Sequence, residues 1–154
     1  MVSANEISPG QEGQITVSVK AGSSRRQIRQ SVQVQTNVPG KERLTLTITA
    51  NVIVDIEALQ PSILRFDNRQ SHPQVRVKNY TDTPIKIMKL VPPNNYVTLT
   101  ASENTIPPQG EIVITAEVSP DAPNGVISDW AEVHTNLVSQ PVLYVRVWAN
   151  LQNQ

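Results

Sequence analysis

Two histidines, 13 acidic and 13 basic side chains, two tryptophans and no cysteine are the groups with which this 154-residue chain could do chemistry. The lack of cysteine removes thiolate nucleophiles, thiolate metal ligands and disulfides. His72 falls in a turn and His134 in an alternating strand. A single strand-borne histidine is ordinarily a solvated cross-strand neighbour, and neither residue has the spacing of a zinc ligand set or a nucleophile–base pair. Asp121, Asp129 and Glu132 are spread over a loop and alternate strand faces, whereas a glycosidase needs two carboxyl groups held close together across a cleft. No serine elbow or phosphate-binding loop is present. The chain offers no catalytic, cofactor-binding or metal-binding residues, and the expectation is a protein that is not an enzyme.

The cations form two groups. Arg25-Arg26-Gln27-Ile28-Arg29 opens a strand and could meet phosphate or an anionic glycan. Three arginines without interleaved aromatics more often make a solvated loop. Farther on, Arg65, Arg69, Arg76, Lys78, Lys86 and Lys89 outnumber Asp67 and Asp82, for a net +4 over residues 58–90. Residues 91–154 set Arg146 against Glu103, Glu111, Glu117, Asp121, Asp129 and Glu132, for a net −5. In a sandwich where the second strand pairs with the fifth and the third with the sixth, opposite charges land opposite each other. The chain's overall balance gives no reason to expect a nucleic-acid partner. No apolar run approaches the roughly 18 residues needed to span a membrane.

The sharpest local signal is aromatic. If the last two strands form a hairpin with Ala131/Val147 and Val133/Val145 facing inward, the outward pairs are Trp130/Trp148, Glu132/Arg146 and His134/Tyr144. Earlier in the chain the corresponding outward pairs are Ser31/Thr49, Gln33/Thr47 and Gln35/Thr45, all small or polar. Trp130, Glu132, His134, Tyr144, Arg146 and Trp148 therefore make the candidate partner-binding face. Such aromatics suit a protein interface, and flat rings also suit stacking of a carbohydrate. The same rings would equally serve to cover the sheet or pack against a neighbouring module.

The elements that position these residues repeat. Ile7-Ser8-Pro9, Gln14-Ile15-Thr16-Val17, Thr36-Asn37 and Thr49-Ala50-Asn51-Val52 return as Ile106-Pro107-Pro108, Glu111-Ile112-Val113-Ile114, Thr135-Asn136 and Trp148-Ala149-Asn150-Leu151. The offset is 99 residues at the start, middle and end (Thr36 to Thr135, for example), with a two-residue shift near Gly13/Gly110. That period is a whole domain rather than a solenoid unit. Valine, isoleucine and threonine dominate, Pro (12) outnumbers Gly (6), and apolar residues alternate, which is the pattern of strands. In the first copy, Ile15/Val17/Val19, residues 28–36 and Leu44/Leu46/Ile48/Ala50 read as three strands, the last flowing through Val52–Ile56 into the second copy without a flexible linker. In the second copy seven strands are expected near Ile63–Phe66, Gln74–Lys78, Ile85–Leu90, Tyr96–Thr100, Ile112–Val118, Ile127–Thr135 and Val142–Ala149. Seven short strands with regular turns describe an immunoglobulin-like sandwich.

Val77-Lys78-Asn79, a polar turn and Pro84-Ile85-Lys86-Ile87 resemble the hallmark of ASH and major-sperm-protein-like domains, which are allied to PapD-like sandwiches. Ile106-Pro107-Pro108-Gln109-Gly110 and Val133-His134-Thr135-Asn136 resemble segments of a bacterial, usually exported Ig-like family of unknown function. Ile7-Ser8-Pro9-Gly10 and Val34-Gln35-Thr36-Asn37 match the same segments in the first copy. Many members of that family carry a Cys-Gly-Cys element where this chain has Pro92-Pro93-Asn94-Asn95, so no redox or metal role carries over. The resemblance implies a scaffold or interaction module, exported to the periplasm or cell surface. Asn79-Tyr80-Thr81 fits a glycosylation acceptor and also the family's turn.

The resulting expectation is an all-β chain, with a C-terminal half of an Ig-like module at 1–57 and a complete seven-stranded sandwich at 58–154. The residues matching Leu59–Thr105 do not precede Ile7, so the expected chain begins inside a module, and a leader lost with them would leave none at Met1–Glu6. The apolar face of the half-module must be covered, and a homodimer through this incomplete module is the expected solution. The other expected partners are a protein or a carbohydrate. The function expected is that of a non-catalytic structural or interaction module from a larger, multi-module exported protein.

Overall fold

The computed structural model describes residues 6–20, 22 and 24–152, so Met1–Asn5, read above for a leader, lie outside the described residues. Every regular element among them is a β-strand. This follows from the alternating β-branched runs and from prolines that interrupt any longer helical stretch. The chain divides into two compact units. Of the described residues, those up to 22 together with 26–52 form one, and 24–25 together with 53–152 form the other.

The first unit is a single antiparallel hairpin of β1 (Arg26–Gln35) and β2 (Arg43–Val52). Its loop is closed by Thr36, whose N–H donates to Glu42 O (3.0 Å), whose Oγ1 donates to Lys41 O (2.7 Å) and accepts from Val38 N–H (3.2 Å). The strand expected around Ile15–Val19 is not formed. Ile15 makes one isolated bridge, and Val17 and Val19 are exposed. The reason is visible in the second copy. There the matching residues, Ile112 onward, hydrogen-bond to a strand on either side, and alternation without neighbours does not hold a strand. The expected continuous run into the second copy also breaks, because β2 ends at Val52 and residues 53–55 lie outside any strand.

The second unit is a two-layer β structure. Its strands are β3 (Ile56–Ala58), β4 (Ile63–Phe66), β5 (Gln74–Asn79), β6 (Ile85–Val91), β7 (Val97–Ala101), β8 (Thr105–Ile106), β9 (Glu111–Val118), β10 (Gly125–Thr135) and β11 (Val142–Leu151). One sheet has the order β4-β11-β10-β6-β8 and the other β3-β5-β9-β7. The seven expected strands are all present, and the short β3 and β8 are additional. The chain crosses from one sheet to the other between β3 and β4, where the Gln60–Pro61 peptide bond is cis.

Phe66, Val75, Val77, Ile112, Ile114, Ala131, Val133, Val145 and Val147, drawn from both sheets, are buried in one core. Each large aliphatic side chain removed from water contributes about 1.5–3 kcal/mol. The expected strand pairings β5–β9 and β6–β10 are observed. Across the first of them Glu111 meets Arg76 (3.3 Å) and Lys78 (3.6 Å).

Asn79 ends β5 completely buried. Its amide nitrogen faces the carbonyls of Thr83 (2.8 Å), Pro107 (3.0 Å) and Ile106 (3.2 Å). Its Oδ1 accepts from Thr81 N–H and Thr81 Oγ1, both at 2.8 Å. This side chain ties the β5–β6 turn to the end of β8, and its nitrogen is inaccessible, so of the two readings of Asn79-Tyr80-Thr81 the structure favours the turn over the glycosylation acceptor. The neighbouring turn Pro107–Gly110 has Gln109 at φ 54°, held by its Nε2 donating to Tyr80 O and Asp82 Oδ1, each at 3.0 Å. Its counterpart 99 residues earlier is Gly10, at φ 81° in the turn Ser8–Gln11. Proline at the second position and positive φ at the third are the requirements of a type II turn.

Candidate interaction surface

The outward face of the five-stranded sheet is built on the β10–β11 hairpin. Its loop is closed by Thr135 N–H donating to Pro141 O (2.8 Å), while Thr135 Oγ1 donates to Gln140 O (3.0 Å) and accepts from Leu137 N–H (3.2 Å). That closure sets the register. Trp130 is opposite Arg146, Ser128 opposite Trp148, and Glu132 opposite Tyr144. The expected pairing of Trp130 with Trp148 is therefore corrected, as are Glu132 with Arg146 and His134 with Tyr144. The displacement is two residues, so each side chain keeps its face: Ala131 meets Val145 and Val133 meets Leu143, all four buried. Alternation alone cannot tell registers two apart, because the pleat repeats every two residues.

Trp130 is 49% exposed, Tyr144 is exposed, and Glu132, His134, Arg146 and Trp148 are half-buried. The tryptophans sit on adjacent cross-strand pairs, and each is covered by a guanidinium. The Arg146 Cζ lies 5.2 Å from the Trp130 ring centre, and the Arg65 Cζ lies 4.5 Å from that of Trp148. Arg146 is steadied by donating to Ser128 Oγ (2.7 Å), and Arg65 by Asp67 (3.5 Å). Arg65 was missed in the sequence. It is the parallel partner of Trp148, from β4 at the sheet edge, and a parallel pairing of distant segments leaves no mark in local spacing. His134 Nε2 meets Glu132 Oε2 at 2.7 Å, two residues along the same strand. Lys89 of β6 lies opposite His134. The next residue back, Met88, is the extra one at a register shift and stands 65% exposed.

This surface offers planar rings, two guanidiniums and one carboxylate–imidazole pair, all on extended backbone. It can bury rigid apolar area while supplying directional donors. The matching face of β1–β2 pairs Ser31 with Thr47, Gln33 with Thr45, and Arg29 with Thr49, and it carries no aromatic residue.

The other candidate groups are engaged elsewhere. Arg25 of the basic run has its guanidinium 4.4 Å from the Tyr80 ring and donates its N–H to Glu57 Oε1 (3.2 Å). His72 meets Glu117 at 3.5 Å on open surface. An open cleft of about 240 Å³ includes Asn94, Tyr96, Asn124 and Val126 in its lining. The Oδ1 of Asn94 accepts from Tyr96 N–H and that of Asn124 from Arg69, so each amide oxygen already holds a hydrogen bond within the chain. Among the described residues no group of three His, Asp or Glu side chains converges closely enough to hold a metal ion.

No protein-family profile matches the chain, and no curated protein matches it. Several solved structures are similar. A protein of unknown function from Porphyromonas gingivalis W83 aligns with TM-score 0.54 at 12% identity, over 88% of this chain and 70% of its own. A Bacteroides ovatus GH5 xyloglucanase, solved in complex with a XXXG heptasaccharide, aligns with TM-score 0.43 at 13% identity, over 64% of this chain and 19% of its own. The first shares the fold.

Proposed function

We propose that this chain is a non-catalytic protein-interaction module, an immunoglobulin-like sandwich preceded by half of another, whose partner surface is the outward face of β10 and β11. The immunoglobulin-like reading is supported by the order β3-β5-β9-β7 against β6-β10-β11, which is that expected of ABED and CFG sheets. The ASH-like reading is supported by Asn79, whose buried amide explains why an asparagine ends that strand. Export to the periplasm or cell surface, as part of a larger bacterial protein, is proposed on the strength of the resemblance.

The observation that carries the interaction reading is the contrast between sister hairpins. Where β1–β2 places Ser31, Thr47 and Thr49, β10–β11 places Trp130, Arg146 and Trp148. Tryptophan, tyrosine and arginine are the residues that dominate binding energy at protein interfaces. The test grafts the sister residues: Trp130→Ser, Arg146→Thr and Trp148→Thr together. These sites face outward, so the fold should survive while capture of a protein partner by proximity cross-linking is lost. Capture unchanged by the triple variant would refute the reading.

A second reading is carbohydrate binding by Trp130, Trp148 and Tyr144. It is favoured by two indoles on adjacent cross-strand pairs of one sheet face, and weakened because a guanidinium already lies over each. Quenching of tryptophan fluorescence on titration with polysaccharides would select this reading over the first.

A further inference from the structure

Among the described residues, the first unit leaves a sheet face and a sheet edge without a strand to meet them. Ile28, Val32, Val34, Leu44, Leu46 and Ile48 share one face of β1–β2. Their counterparts 99 residues later are Ile127, Ala131, Val133, Leu143, Val145 and Val147. Leu143 is 2% and Val145 1% exposed, yet Leu44 is 41% and Leu46 46% exposed. The outer edge of β11 is taken by β4, whereas the β1–β2 sheet has two strands only. An isolated two-stranded hairpin with an aliphatic face is marginal in water.

Beyond Arg43 at its start, the edge of β2 is also unguarded. From Leu44 to Val54 there is no charged residue, proline or glycine, although natural edge strands are protected by such residues. The edge of β1 carries Arg26 and Arg29. Hydrogen-bonded pairs alternate along an antiparallel hairpin. With Thr36 and Glu42 a bonded pair, the alternation turns the backbone groups of Thr45, Thr47 and Thr49 toward the open edge of β2.

The geometry points to a second copy of this chain as the occupant of that edge, with β2 pairing antiparallel to its own copy about a two-fold axis at Thr47. The segment is self-complementary about that residue. Thr47 meets Thr47 of the other copy, Thr45 meets Thr49, Leu46 meets Ile48, and Leu44 meets Ala50. Threonine falls on threonine and aliphatic on aliphatic, with no like charges opposed, and such pairs stabilise a sheet. A two-fold axis across identical strands requires antiparallel pairing. The product is a four-stranded sheet in which the two aliphatic faces are continuous. The pairing is made by residues of the first unit alone.

The lack of cysteine makes the test clean. Opposed Cα atoms in an antiparallel pair lie about 4.5–5.5 Å apart, within disulfide reach. Under mild oxidation of the full chain, Thr47→Cys should form a covalent dimer at least tenfold faster than Thr45→Cys or Thr49→Cys alone. An equimolar mixture of those two variants should cross-link as fast as Thr47→Cys. Sedimentation of the unmodified chain at tens of micromolar should give a dimer, and Trp130→Ala should leave it intact. A monomer at that concentration overturns the proposal, as does equal cross-linking by all three single variants.

Discussion

The Arg146 guanidinium lies over the ring of its cross-strand partner Trp130, with its Cζ 5.2 Å from the ring centre. One strand away, Arg65 lies over Trp148 at 4.5 Å. A cation above an exposed indole is worth about 0.5–1 kcal/mol. A double-mutant cycle between Arg146→Ala and Trp130→Ala should therefore give a coupling of about that size in urea unfolding. Tryptophan emission should shift to the red in Arg146→Ala as the ring gains water. A coupling indistinguishable from zero would mean that the guanidinium merely lies near the ring.

Asn79→Ala should be among the most damaging single substitutions in the second unit. It strips the carbonyls of Thr83, Ile106 and Pro107 and the N–H of Thr81 of a buried partner. Each unsatisfied buried group costs about 1–3 kcal/mol, so a loss of roughly 3 kcal/mol or more is expected. Chemical denaturation measures it. A loss below about 1 kcal/mol would show that water enters and replaces the side chain. Expression in a glycosylating host should leave Asn79 unmodified by intact mass.

Burial, followed by the hydrogen bond to Glu57, pushes the Tyr80 hydroxyl above its usual titration range, and outweighs the nearby Arg25. Tyr80 O–H donates to Glu57 Oε2 at 3.1 Å. The folded state therefore prefers the protonated phenol. Its contribution is fully present below the unfolded value of about 10 and is lost as pH rises through the higher folded value. The stability difference between the parent chain and Tyr80→Phe should hold from pH 7 to 9 and then shrink steadily above pH 10. A constant difference to pH 11.5 would remove Tyr80 from the alkaline response.

A fragment of residues 53–152 should unfold cooperatively, whereas one beginning at Pro61 should be markedly weaker. The shorter fragment loses β3, in which Ile56 is fully buried. It also loses the Gln140 bonds to Ile56, with Ile56 N–H donating to Oε1 at 3.3 Å and Nε2 donating to Ile56 O at 2.9 Å. Thermal unfolding of both fragments decides this. Equal midpoints would make β3 an ornament of the sheet rather than part of the folding unit.

The sequence by itself determined seven of the nine strands of the second unit and which face each of those buries. Alternation has the period of the pleat, so Val133, Val145 and Val147 could be placed inside and Trp130 and Tyr144 outside before any pairing was known. It also determined the repeat, down to the hydrogen bonds: Thr36 and Thr135 close their loops in the same way. Tertiary structure alone decided which residues meet. Parity is indifferent to a two-residue slip, and the loop closure at Thr135–Pro141 put Arg146, not Trp148, opposite Trp130. The parallel edge pairing that brings Arg65 to Trp148 joins segments more than 80 residues apart, with no local trace. The same dependence on neighbours explains the failed strand at Ile15–Val19: a strand exists only where another lies beside it to take its hydrogen bonds.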